Sequence, residues 1–122
     1  MIGYANSETI NFTQVQQGGD TGGSLTVAKV NTTGNNEGAF IVKYNANGRP
    51  QWARQIDGAS TERGESIKID NQNNVIFSVR IETTSAINLG SGGSGGTIPS
   101  QSITKPVVTG SAAALLKYTS EG

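Results

Sequence analysis

Ten residues in the middle of this 122-residue chain return near its end. Ala39-Phe40-Ile41-Val42-Lys43-Tyr44-Asn45-Ala46-Asn47-Gly48 comes back, more weakly, as Ala113-Ala114-Leu115-Leu116-Lys117-Tyr118-Thr119-Ser120-Glu121-Gly122. Lys43 and Lys117 stand 74 positions apart, as do Tyr44 and Tyr118, and Gly48 and Gly122. Ile10-Asn11-Phe12 matches Ile87-Asn88-Leu89 at a spacing of 77, and the run from Lys29 to Gly34 matches that from Lys105 to Gly110 at 76. Small loop deletions account for the drift. A recurring segment constrains a chain to build similar substructures that bury their apolar faces against each other. The order here is a partial unit (8–48), a distinct middle (49–82) and a second partial unit (83–122), about one and a half units in a single domain over 1–122.

Composition narrows what such units hold. The 17 Gly, 13 Thr, 12 Ser, 11 Asn and 7 Gln make up 60 of the 122 residues, and only seven residues are aromatic. So polar a chain has little with which to fill a large private core. Nine Lys/Arg balance nine Asp/Glu, which removes the electrostatic reason to expect nucleic acid or an anionic membrane as partner. No apolar run approaches the length of a membrane-spanning helix, and the first residues lack the basic and apolar regions of a signal peptide. There is no Cys and no His, so neither a disulfide framework nor a thiolate metal site is available. The Ser/Thr/Asn/Gly bias leans towards an extracellular, cell-surface or virion setting.

Strand signals dominate the pattern. In 74–82, Val75, Phe77, Val79 and Ile81 fall on one face and Ser78 and Arg80 on the other, a period-two alternation that predicts a half-buried strand. Ile67 and Ile69 alternate likewise just before it, and Asp70-Asn71-Gln72-Asn73-Asn74 supplies the turn, because Asn and Asp tolerate left-handed dihedrals and bond their own backbone. Residues 64–82 are therefore expected to form a hairpin. A second hairpin is expected over 39–56, turning at Asn45-Ala46-Asn47-Gly48, with Trp52 and Ile56 on one face of the return strand. Pro50 sits at that strand's start, where a missing donor is tolerated. Short strands are expected within 8–15, 25–30, 86–89 and 102–108. Ala112-Ala113-Ala114-Leu115-Leu116 has helical propensity in isolation, but its repeat partner reads as strand, so strand is expected. Gly90-Ser91-Gly92-Gly93-Ser94-Gly95-Gly96 reads as a flexible loop or linker.

With these segments in order, residues 38–82 and, more weakly, 112–122 resemble the bacterial seven-bladed β-propeller repeat family. The carrying residues are Gly-Ala-Phe-Ile-Val-Lys-Tyr-Asn-Ala-Asn-Gly, then Gln-Trp-Ala-Arg-Gln-Ile-Asp-Gly, then Gly-Glu-Ser-Ile-Lys-Ile-Asp, then Asn-Asn-Val-Ile-Phe-Ser-Val. The resemblance implies an all-β fold of antiparallel four-stranded propeller-blade-like sheets, incomplete as a single chain. Strands 64–70, 74–82 and 112–118 would form one blade lacking its Trp strand, and 38–44 and 51–56 would be the outer strands of the blade before. Versions with an insert before the Phe-Lys strand occur in bacteria and large DNA viruses. Two departures stand out. The family strings many blades in one chain, whereas this sequence holds fewer than two, and Phe40 is replaced by Ala114 in the second copy.

Nothing in the sequence assembles a reaction centre. A Ser or Cys nucleophile needs a neighbouring base, and no motif places one. Glu62 and Glu65 flank Arg63 in what reads as a charged, solvated loop rather than an acid–base pair. Asp70 with its Asn neighbours lacks the spaced pattern of a calcium loop. Gln17 to Ser24 is Gly-rich but has no Lys-Ser/Thr and no following helix, so it is a loop and not a phosphate cradle. Asn11-Phe12-Thr13 and Asn31-Thr32-Thr33 are glycosylation sequons at about the frequency chance gives. Trp52, Tyr44 and Tyr118 suit a core better than sugar stacking.

The reading is a non-enzymatic structural or assembly protein with no catalytic, cofactor-binding or metal site. An unfinished sheet leaves unpaired backbone groups on a strand edge, and another copy can satisfy them by adding a strand. Leu115, Leu116, Lys117 and Tyr118 are the expected self-assembly interface. The expected partners are other copies of the chain, as a homo-oligomer or filament, or a larger structural assembly in a virion, filament or surface appendage, and neither nucleic acid nor membrane. The alternatives are a glycan- or ligand-binding β-propeller fragment of a longer protein and, third, an enzyme domain.

Overall fold

The computed structural model describes residues 1–7, 9–13, 23–28, 36–83, 85–89, 102–105 and 109–122. Gly90–Gly96, most of the Gly-rich stretch 17–24 and the sequon at Asn31 lie outside these residues. Among those described there is no helix. The strands in chain order are β1 (Ile2–Ala5), β2 (Thr9–Thr13), β3 (Ser24–Ala28), β4 (Gly38–Tyr44), β5 (Pro50–Asp57), β6 (Glu62–Ile69), β7 (Val75–Ile81), β8 (Ala86–Leu89), β9 (Ser102–Thr104) and β10 (Ala112–Tyr118). All pairings are antiparallel. They form a five-stranded sheet in the order β1-β4-β5-β8-β9, a three-stranded sheet β10-β7-β6 and a two-stranded sheet β2-β3. Sheets of five, three and two strands thus stand where four-stranded sheets were expected, because β8 and β9 extend the first sheet beyond β5 and, among the described residues, β10 pairs only with β7. The described strands do not close a propeller.

Both hairpins form where the turn chemistry puts them. At the β6–β7 turn, Asp70 Oδ1 accepts from the amides of Gln72 and Asn74, each at 2.9 Å, and Asn73 takes a positive φ of 61°. At the β4–β5 turn, Asn45 Oδ1 accepts from the amides of Asn47 (3.0 Å) and Arg49 (2.9 Å), and Gly48 has φ 72°. An Asn or Asp side chain bonding the backbone two residues on lets a short loop reverse the chain. Pro50 is the first residue of β5.

Residues 112–118 are a strand despite their run of Ala and Leu. All seven pair with β7, from Ala112↔Ile81 to Tyr118↔Val75, and every second side chain is half-buried. Tertiary pairing overrides an intrinsic preference worth only tenths of a kcal/mol per residue. No periodic signal announces β1, which is four residues long and contains a glycine. A Cβ at Gly3 would lie 2.8 Å from the tip of the Phe40 ring, so the glycine lets that ring lie close over β1. The Met1 ammonium continues the ladder by donating to the Val42 carbonyl at 2.8 Å.

The repetition extends to the pairing register. The four β1/β4 partners, Ile2↔Ile41 through Ala5↔Gly38, become the β7/β10 partners Ser78↔Leu115 through Ile81↔Ala112 when shifted by 76 and 74 positions. The β2/β3 partners Thr9↔Ala28, Ile10↔Val27 and Asn11↔Thr26 become the β8/β9 partners Ala86↔Thr104, Ile87↔Ile103 and Asn88↔Ser102 when shifted by 77 and 76. The chain therefore builds one four-strand motif twice. β5 and β6 each occur once and lie between the two copies in sequence.

The larger core lies between the copies. Ala39, Ile41, Trp52 and Ile56 of the five-stranded sheet pack with Val75, Phe77, Val79 and Ile81 of β7 and with Ile87 and Leu89 of β8. Leu116 and Tyr118 of β10 pack against the same cluster. A smaller core joins β2 and β3 to the opposite face of the five-stranded sheet, through Phe12, Val27, Val42 and Ala53. Burying this apolar area, at about 25 cal/mol per Å², is the main favourable term available to so polar a chain.

Glu62 corrects one expectation. It lies in β6 and not in a solvated loop, it is fully buried, and its Oε2 accepts from the Gly58 amide at 2.9 Å. A buried carboxylate is tolerated where it receives such bonds. Glu65, on the same strand, is exposed.

Candidate assembly interface

Among the described residues β10 is the outermost strand of its sheet, paired to β7 on one side only. Its copy, β4, is paired on both sides, to β1 and to β5. The direction of the free backbone groups follows from the register. Val42 exchanges both backbone bonds with Met1, its amide donating at 3.0 Å and its carbonyl accepting at 2.8 Å. Backbone groups alternate sides along an antiparallel strand. Val42 corresponds to Leu116, so Leu116 points its backbone groups at β7, while Ala113, Leu115 and Lys117 point theirs outward along the open edge.

Side chains sort by the same alternation, across the sheet instead of along it. Leu116 and Tyr118 turn inward. The Tyr118 ring stacks on Phe77 at 5.5 Å and meets Trp52 at 6.0 Å. Burial pushes the Tyr118 phenol up to about 12, partly opposed by the nearby Arg54 guanidinium. Leu115 and Lys117 turn outward, and Leu115 is 75% exposed. The four residues expected as an interface are therefore contiguous in backbone but split by face, two on the open surface and two in the core.

Lys117 bonds Asp70 at 2.9 Å across the open face. A side-chain hydrogen bond from Asn74 and a second from Lys117 hold the Asp70 carboxyl well below the usual carboxylate range. The pair braces the end of β10 against the β6–β7 turn, and its exposure keeps its contribution small. At the other end of β10 the surface hollows into a cavity of about 440 Å³ bordered by Glu65, Ser78, Arg80, Ala112 and Ala113.

The turn after β10 copies the turn after β4. The Gly122 amide donates to the Thr119 carbonyl at 3.1 Å, as the Gly48 amide donates to Asn45 at 3.0 Å, and both glycines have positive φ. The surroundings differ. Asn45, Ala46 and Asn47 are exposed, whereas the second turn sits against the first copy. There the Ser120 carbonyl accepts from Lys43 Nζ at 2.7 Å and from the Trp52 indole at 3.0 Å.

Trp52 is buried and Tyr44 and Tyr118 half-buried, so the aromatic side chains expected in the core rather than in sugar stacking are core or core-edge residues. Among the described residues no three His, Cys, Asp or Glu side chains gather as a metal set, and no helix is long and apolar enough to cross a membrane. The sequence foresaw the strand but not which of its residues face out. That distinction needed the inward face of β7, which the alternation of Val75, Phe77, Val79 and Ile81 does encode. No protein-family model, no curated protein and no solved structure matches this chain.

Proposed function

We infer that the chain is a non-enzymatic assembly protein that joins copies of itself, or a larger structural assembly, by adding a β-strand at β10. The observation that carries this is the unequal treatment of one repeated strand: β4 has β5 on its outer side, and among the described residues β10 has no strand there. An open ladder of amides and carbonyls is a template for strand addition. A head-to-tail contact made this way runs on as a filament or closes as a ring. In this reading β6, β7 and β10 are three strands of a propeller-blade-like sheet whose fourth comes from outside, in a virion, filament or surface appendage. The order β10-β7-β6 and the adjacency of β4 and β5 support it.

The test uses an edge residue. Leu115→Pro removes an outward amide without touching the pairing with β7, and an edge strand tolerates proline. The circular dichroism spectrum is expected to stay that of a folded β protein, while the concentration-dependent rise in mass seen by sedimentation in the parent chain disappears. Leu115→Ala, which keeps the amide, is the control. A parent chain that stays monomeric at every concentration rules the reading out.

A further inference from the structure

The seven residues of β10 divide into a small half and a large half. Ala112, Ala113 and Ala114 precede Leu115, and Leu116, Lys117 and Tyr118 follow it. The first copy has no such division, because Phe40 stands at the position of Ala114. β7 is not the complement of this gradient. Opposite the three alanines it sets Ile81, Arg80 and Val79, and opposite the larger three Phe77, Ile76 and Val75.

The geometry points to β10 of a second copy as the strand that occupies the open edge, antiparallel and centred on Leu115. The backbone selects that register. Ala113, Leu115 and Lys117 carry the outward amides and carbonyls, and in an antiparallel ladder two residues so placed exchange both bonds. Centring on Leu115 pairs it with Leu115 of the second copy and pairs Ala113 with Lys117 in both directions, so every outward group of both strands finds a partner. Centring on Ala114 or Leu116 sends one of the three outward residues beyond the end of the partner strand. Centring on Lys117 sets two ammonium groups side by side, which is destabilising.

The side chains agree with the same register. It sets Ala112 opposite Tyr118, Ala113 opposite Lys117 and Ala114 opposite Leu116, so small meets large in each of these pairs on both faces of the sheet. At the centre, Leu115, 75% exposed in the single chain, is covered by a second leucine. Each Lys117 keeps its 2.9 Å bond to Asp70 of its own chain, because the alanine opposite makes no claim on the ammonium. The sheet's other edge offers no equal alternative, since Ile2 packs directly on Gly64 of β6. β10 is its own complement, so the occupant is a second copy. The contact is symmetric and closes at two copies, joining two three-stranded sheets into one of six. This inference rests on the reading that copies associate at β10 and names the strand, direction and register of the partner.

The chain has no cysteine, so single cysteines report the register directly. Residues that exchange both bonds lie about 5.5 Å apart at Cα, within the span of a disulfide. Leu115→Cys is expected to give a disulfide-linked dimer on mild oxidation. Ala113→Cys and Lys117→Cys are expected to give one when mixed in equal amounts and not when oxidised separately. Gln72→Cys, on the exposed β6–β7 turn, sets the background, and each variant is expected to keep the circular dichroism spectrum of the parent. Leu115→Lys, which opposes two ammonium groups only if the strand meets itself, is expected to weaken the dimer by about tenfold in sedimentation. Linkage of Leu115→Cys no better than that of Gln72→Cys, or separate Ala113→Cys and Lys117→Cys chains linking as well as their mixture, overturns the symmetric pairing. If the parent chain still gains mass with concentration, association at β10 survives that result without the symmetry. If it stays monomeric, both fall together.

Discussion

β4 and β10 are one strand written twice and placed in opposite surroundings. β4 lies between β1 and β5 with both faces covered, and its Ile41 is fully buried. Among the described residues β10 has one neighbouring strand and one covered face, and Leu115, the counterpart of Ile41, is 75% exposed. The inward residues differ less, since Leu116 and Tyr118 pack on the core while Val42 and Tyr44 pack towards the β2–β3 hairpin. The contrast teaches that a repeat unit here specifies backbone register on its own, whereas burial is decided by what stands in front of it. The aliphatic position that is core as Ile41 in one copy is surface as Leu115 in the other, with no change in its local sequence logic.

The largest test of that contrast removes the residue that the second copy lacks. Trp52→Ala takes a buried indole from the junction of the halves and its bond to Ser120, and is expected to cost about 3–5 kcal/mol in urea unfolding followed by circular dichroism. That is a large part of the total stability of a small domain. Next comes a matched pair. Ile41→Ala is expected to cost about 2–5 kcal/mol as a core truncation, while Leu115→Ala is expected to change the unfolding of dilute protein by less than about 0.5 kcal/mol, as at ordinary surface sites. Equal losses at both positions would break the comparison.

A third test sharpens it through pH. The Tyr118 phenol is raised from its ordinary value of 10.0 to about 12 in the folded chain. Its stabilising share is complete below pH 10 and is lost as pH rises towards 12, because the unfolded chain ionises first. Tyr118→Phe is expected to remove this alkaline loss, on the order of 2 kcal/mol across the interval, read as a difference in urea midpoint between parent and variant. The smallest effect belongs to the exposed brace. Asp70 is depressed below 3.8, so its contribution is present above that pH and fades as acid protonates it. Asp70→Asn is expected to lower the melting temperature slightly at pH 7 and to flatten its fall between pH 5 and pH 2, so that the two chains converge in acid.

The elements legible in the sequence were those with a local cause. Alternation at Val75–Ile81, the Asx-type turns at Asn45 and Asp70 and the β-rich run at 39–44 each encode their structure within a few residues. The repeat then carried the assignment to Ala112–Leu116, where local propensity points to helix. What failed locally was decided at a distance. β1 is a strand only because β4 offers it a ladder, and Glu62 is buried because the chain folds Gly58 back onto it. The addition of β8 and β9 to the edge of β5 rests on two residue pairs, Ile56↔Leu89 and Asp57↔Asn88, and no sequence period announces it. The candidate interface was legible as a segment but not as a surface, since facing depends on which side of β7 is covered.

The chain has a single tryptophan, and its indole is bonded to Ser120 where the halves meet. The molecule thus carries an intrinsic optical probe at the joint between its two copies. Its emission reports separation of the halves and circular dichroism reports the strands, so the two followed together in one titration distinguish parting of the copies from loss of strands.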